Sequence, residues 1–175
     1  IGAAHDIESI VGAAKLLQNC KNVKFVFIGD GEKSSAVKDY IRDYPNGNVS
    51  LHPFQAEHRL KYTLSIADVS LVTLDEGMED LMVPSKFFYY LAAGSAVIGI
   101  CKKNSELGDL IIGEEIGYLV PQGSPKKLAV KILSLYRNRQ KLSIFKFNAR
   151  KQAEERHSLN AKCKDIQHLL SLIHI

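Results

Sequence analysis

A chain of 175 residues is the length of one domain built around one hydrophobic core. At 46% hydrophobic and 24% charged it has the make-up of a globular protein, and no apolar run approaches the roughly 20 residues that a membrane-spanning helix needs. The formal net charge of +4 is mild and the lysines are spread along the chain, which reads as a solvated surface and excludes a nucleic-acid-binding arm.

The first predicted helix carries Ile7, Ile10, Val11, Ala14 and Leu17 at helical spacing behind Asp6 as its cap. A β-branched and aromatic run from Val23 to Ile28 follows, ended by Gly29-Asp30-Gly31. A second amphipathic helix passes through Val37, Tyr40 and Ile41, and Pro45-Asn46-Gly47-Asn48 turns the chain into a short strand from Val49 to Leu51. Glu57 to Ile66 reads as a helix and Val69 to Leu74 as an apolar strand, with an acidic loop through Asp75, Glu76, Glu79 and Asp80 behind it. A helix opens near Pro84-Ser85 and closes at Gly94, and a strand runs from Ala96 to Ile100. Ser105 caps a helix through Leu107, Leu110 and Ile111, and Gly117 to Val120 is the last strand. Ser124-Pro125 starts the closing helices, with a hydroxyl acceptor at the cap and a proline where no amide donor is needed.

Short apolar strands separated by helices are buried on both faces, which predicts an α/β fold with a doubly wound, Rossmann-like parallel sheet. The first helix has no strand before it although Gly2 stands where a strand-to-helix loop belongs, so a further strand is expected ahead of Ile1 and the chain reads as a fragment. Cys20, Cys101 and Cys163 are scattered without a Cys-x-x-Cys pair, which points to reduced thiols in the cytoplasm and away from a metal site.

In such a sheet ligands sit at the C-terminal strand ends, where loops run into helix N-termini. Four segments fall there: Gly2 to Asp6, Gly29 to Glu32, His52 to Gln55 and Val83 to Lys86. Gly29-Asp30-Gly31 is a near miss to the dinucleotide fingerprint, but Leu51-His52-Pro53 occupies the place of the acidic ribose partner expected about 20 residues on. Nicotinamide binding ranks low.

The combination says more. Gly2-x-x-His5-Asp6, Phe25-Val26-Phe27-Ile28-Gly29-Asp30-Gly31, Ala67-Asp68-Val69, Val83-Pro84-Ser85-Lys86 through Gly94, Ala96-Val97-Ile98, Ser105-Glu106-Leu107 and Gly117-Tyr118-Leu119-Val120-Pro121 stand in one order. That order resembles the C-terminal, donor-binding half of family 4 glycosyltransferases of the GT-B class, in the branch that builds bacterial surface polysaccharides. The resemblance runs from about Gly2 to Arg150, with the proline-to-glycine motif its strongest part.

It implies a retaining transfer of a hexosyl or N-acetylhexosaminyl group from a nucleotide diphosphate-sugar, with a UDP-sugar favoured and no metal or other cofactor. The residues it implicates in donor binding are Gly2, His5, Gly29, Gly31, Phe54, Ser85, Lys86, Tyr89 and Glu106. Amides at a helix N-terminus suit a diphosphate, and the Lys86 ammonium can neutralise the charge that develops as it leaves. His5 reads equally well as a lead-in to the first helix; Ser85 can cap a helix and bind phosphate together; Lys86 has a surface lysine as its alternative, with the functional reading favoured by its position. No catalytic residue can be nominated.

Three features depart from the family. A pair of glutamates usually brackets the proline-to-glycine motif, and those positions hold Leu81 and Tyr89. A basic residue often follows the first glycine, where Ala3 stands. The resemblance further implies an N-terminal acceptor domain, a glycan or lipid-linked acceptor, and a cytoplasmic location with at most peripheral attachment to the inner membrane face. Residues 1–169 make the nucleotide-sugar domain, while 170–175 resemble translated adaptor and are expected to be a non-native tail. A nucleotide-sugar epimerase, a non-catalytic partner subunit and a receiver-like domain are the alternatives.

Overall fold

The computed structural model describes residues 5–74 and 83–157. Gly2, Ala3, the acidic loop with Met78, Leu81 and Met82, Cys163 and the tail 170–175 lie outside the described residues. The elements, in chain order, are α1 (Ile7–Leu16), β1 (Phe25–Ile28), α2 (Ser34–Asp43), β2 (Val49–His52), α3 (Glu57–Ser65) and β3 (Val69–Thr73). They continue as α4 (Ser85–Ala92), β4 (Ala96–Ile100), α5 (Glu106–Gly113), β5 (Gly117–Val120), α6 (Pro125–Arg137) and α7 (Arg139–Arg156). Among the described residues no helix is long and apolar enough to cross a membrane.

Every strand pairing is parallel. Phe25 lies opposite Val49 in β1–β2, Val69 opposite Ala96 in β3–β4, and Val97 opposite Gly117 in β4–β5. Parallel neighbours need helical crossovers, and the helices cover both faces of the strands. On one face Phe25, Phe27, Ala96, Ile98 and Ile100 meet α1, α2 and α6, with Val69 and Leu71 packed alongside. On the other, Val72, Leu74, Val97 and Cys101 meet α4, α5 and the later turns of α7. Alternation along β3 and β4 assigns neighbouring residues to opposite cores, as the pleat requires. All five residues of β4 are buried, so it is the central strand of its sheet.

The α/β, parallel, doubly wound class is as predicted, with one difference in continuity. The strands fall into a β1-β2 sheet and a β3-β4-β5 sheet that share a core without a ladder between β1 and β3. Two smaller differences have local causes. Strand β1 begins at Phe25 because Val23 N–H closes a turn onto Cys20 O (2.9 Å). The Ser124 hydroxyl donates to Gln122 O (3.3 Å) and does not cap α6, whose first turn relies on Pro125 instead.

Two caps follow the sequence. Asp6 Oδ1 accepts from Ser9 N (3.0 Å) at α1, and Ser105 Oγ from Gly108 N (3.1 Å) at α5. Helix α4 is anchored by Phe87 and Leu91, each 1% exposed, and burying such side chains contributes about 1.5–3 kcal/mol apiece. That anchoring holds the N-terminus of α4 at the strand ends.

Candidate donor-binding site

Residues at the starts of α2 and α4 and in the turn between β5 and α6 converge on the residues that lead into α1. Lys33, just before α2, donates to His5 O (2.8 Å) and lies 3.7 Å from Glu8. Lys86, in the first turn of α4, is hydrogen-bonded through Nζ to His5 Nε2. Gly123 N, between β5 and α6, donates to Asp6 Oδ2 (2.9 Å), and Gln122 Nε2 donates to Leu74 O at the end of β3. Segments from both sheets therefore meet at one edge, the C-terminal ends of the strands.

The N-terminus of α4 lies at this edge. Pro84 is its cap residue and no side chain caps it, so Ser85 and Lys86 are the first helical residues. The opening amides of an α-helix have no intrahelical acceptor, and the helix dipole places positive potential on them. Ser85 is exposed and Lys86 half-buried. Burial holds the Lys86 amine below the usual lysine range, because the charged form loses hydration.

The glycine turn is differently built. Gly29 and Gly31 have φ of 102° and 152°, which only glycine adopts without strain. Gly29 N donates to His52 O (2.9 Å), extending the β1–β2 ladder, and Gly31 N donates to Asp30 Oδ1 (2.9 Å). Both amides are thus engaged within the protein, and the contribution of these residues is the shape of the turn. Bonds from Ser34 and Gly31, with the Lys38 charge, hold the Asp30 carboxyl below its ordinary range.

Phe54 lies on the loop after β2 and is 85% exposed, a large aromatic surface left in water. Tyr89 is 55% exposed one turn into α4, and Glu106 is exposed in the first turn of α5. A hydrogen bond joins His5 to Lys86, while Phe54 and Tyr89 present exposed rings. Gly2 lies outside the described residues. Sequence reasoning missed Lys33, Gln122 and Gly123. The only signal for Lys33 was its position between a glycine turn and a helix start.

Asp6 ties a helix to a loop with one carboxylate, capping α1 and holding Gly123. Asp6→Ala is expected to lower stability by about 0.5–2 kcal/mol, the usual loss for a helix cap, while Asp6→Asn keeps most of it. Thermal melts of the two variants check this.

Parallel strands, crossover helices and a helix N-terminus at the strand ends make this a doubly wound α/β domain. The chain belongs to the glycosyl transferases group 1 family, whose model matches residues 3–152. "Probable glycosyltransferase WbjE" of Pseudomonas aeruginosa is 33% identical over 129 residues, covering 74% of this chain and 32% of that protein. WcaI of Escherichia coli K12, named for colanic acid biosynthesis, is 26% identical over 110 residues, covering 63% of this chain and 27% of that protein. HepE of Anabaena, solved in complex with UDP-glucose, superposes with a TM-score of 0.71 at 18% identity, over 94% of this chain and 44% of that one. The fold is that of a GT-B glycosyltransferase domain. The chain spans less than a third of the length of these curated relatives.

Proposed function

We propose that this chain is the donor-binding half of a retaining glycosyltransferase that takes a nucleotide diphosphate-sugar, UDP-linked by preference. One observation carries the reading: a half-buried Lys86 at an uncapped helix start, touching His5 where loops from both sheets meet. The amides of Ser85 and Lys86 hold the distal phosphate, and the Lys86 ammonium neutralises charge as the sugar–oxygen bond breaks and the diphosphate leaves. Phe54 offers a face on which a base can stack, and the Tyr89 phenol reaches the ribose in place of a carboxylate. HepE being solved with UDP-glucose supports the choice of nucleotide.

In this reading an N-terminal domain supplies the acceptor site, the acceptor is a glycan or lipid-linked sugar of surface polysaccharide synthesis, and the enzyme works in the cytoplasm at the inner membrane face. The likeness to WcaI favours that pathway class.

Isothermal titration of the full-length gene product with UDP and GDP tests the reading. Saturable binding of one nucleotide, with transfer of sugar to a lipid-linked acceptor, is the expected result. Binding without transfer would favour a non-catalytic partner subunit. No binding of either nucleotide would end the donor-site assignment.

A further inference from the structure

We infer that the outer faces of α6 and α7 form a membrane-binding surface, which lays this flank of the protein against an anionic lipid leaflet. The inference goes beyond the proposed function, which names a lipid-linked acceptor but no part of the chain that meets the bilayer.

Lysines that look dispersed along the sequence are gathered by the fold. Residues 125–156 hold ten of the chain's 23 lysines and arginines against two of its 19 acidic residues, a local charge of +8 in a chain whose total is +4. Four of the ten are answered: Arg139 and Lys146 by Asp68, Arg150 by Glu154 and Arg156 by Glu114. Lys126, Lys127, Lys131, Arg137, Lys141 and Lys151 have no acidic partner among the described residues.

Helical spacing sets these cations and three apolar side chains on the same outward side. On α6, Lys126, Lys127, Val130 and Arg137 are exposed while Leu128, Ile132 and Leu135 are buried. On α7, Ile144, Phe147 and Lys151 are exposed, three and four residues apart, while Leu142, Phe145 and Ala149 face the core. Val130 is 64% and Phe147 69% exposed. The two faces join across an aromatic pair. Lys131 Nζ lies 4.5 Å from the centre of the Tyr118 ring, Tyr118 meets Phe145 edge-on with centroids 5.1 Å apart, and Lys141 Nζ lies 4.6 Å from the centre of the Phe145 ring. Glu115, which lines a polar cavity with Lys151, and Glu155, one turn beyond that lysine, mark the acidic end of the patch.

Charge and exposure together point to one occupant. Unpaired cations of one sign repel one another, and exposed apolar side chains leave their surface in water. A nucleic-acid backbone would answer the charge and leave Val130, Ile144 and Phe147 wet. An anionic leaflet answers both, because apolar tips enter the headgroup region while lysine stems lie along them and hold their ammonium groups at the phosphates. Each of the three apolar residues has a lysine within one turn, which is the pattern of an interfacial helix and not of the charge-depleted centre of a protein–protein interface. The placement also fits the chemistry. Helix α6 starts two residues beyond Gly123, whose amide holds Asp6, so Lys126 and Lys127 lie at the same strand-end edge as the donor site. A leaflet along this flank brings that edge to the headgroups, where a lipid-linked acceptor is presented.

The test is sedimentation of the full-length gene product with vesicles of phosphatidylglycerol and phosphatidylethanolamine, with phosphatidylcholine vesicles as the control. We expect binding to the anionic vesicles only, weakening as salt is raised. A basic residue near an anionic leaflet is worth about fivefold in affinity, so Lys141→Gln with Lys151→Gln should weaken binding about 25-fold. Phe147→Gln, which keeps a helix-forming residue at an exposed position, should weaken it about tenfold with no loss of melting temperature. No binding by the wild type, equal binding to phosphatidylcholine, or undiminished binding by both variants overturns the inference. A lower melting temperature or a broken oligomer in Phe147→Gln would mean that protein covers this face, and overturns it too. All these forms should bind UDP equally without vesicles. The two readings therefore fail separately: loss of vesicle binding leaves the donor site standing, and absence of UDP binding leaves the membrane surface standing.

Discussion

Lys86→Ala should weaken UDP binding by about ten- to a hundredfold without lowering the melting temperature of the unliganded protein. The first part follows from removing one charge-assisted hydrogen bond to a phosphate, typically about 1.5–3 kcal/mol. The second follows from burial. Because burial lowers the Lys86 titration point, the unfolded chain binds that proton more tightly than the folded one. Its contribution to stability therefore rises with pH, and at neutral pH the charged side chain opposes folding. Tyr89→Phe, altering only a phenol that is exposed and outside the His5–Lys86 contact, should change affinity less. Titration calorimetry and a thermal melt on the same preparations separate the outcomes. Unchanged affinity in Lys86→Ala would remove it from the site, and a fall in melting temperature would make it structural.

Gly117→Ala should be among the most destabilising single-methyl changes in the chain. A Cβ at Gly117 would lie 1.6 Å from Val97 O and 2.6 Å from Val97 C, both backbone atoms of the paired central strand. Neither can move aside as a flexible side chain would. Overpacking a dense core costs about 1–3 kcal/mol and occasionally more, and a backbone clash belongs at the upper end. For a domain of this size, about 3 kcal/mol lowers the melting temperature by about 6–12 °C. Gly113→Ala is the control, since its Cβ meets nothing within 4 Å at the end of α5 and alanine favours the helix by about 0.5–1 kcal/mol. Equal melting temperatures for the two variants would mean that β4 and β5 pair differently.

Much of this architecture was legible because local chemistry dictates it. Val49, Val69, Ala96 and Gly117 begin strands where apolar runs follow turn residues, and Asp6 and Ser105 cap the helices that periodicity predicted. The order of motifs carried the family, which the match over residues 3–152 bears out. Contacts between distant residues were not legible in the same way. His5 and Lys86 are 81 residues apart and Asp6 and Gly123 are 117 apart, and no periodicity relates them. Nor does a glycine-rich turn announce where its amides go. At Gly31 the side chain of the intervening Asp30 takes the amide, which gives the turn a different role from an open phosphate cradle. Ser124 shows the same limit, since its hydroxyl donates to the Gln122 carbonyl and does not cap α6.

The central claim is that a nucleoside diphosphate binds over the start of α4. A crystal structure of the full-length gene product with UDP tests it most directly. The account predicts phosphate oxygens within hydrogen-bond distance, about 2.7–3.2 Å, of the Ser85 and Lys86 amides, with Lys86 Nζ turned from His5 onto the diphosphate. A diphosphate bound elsewhere, with α4 uncapped and the His5–Lys86 bond intact, would contradict it.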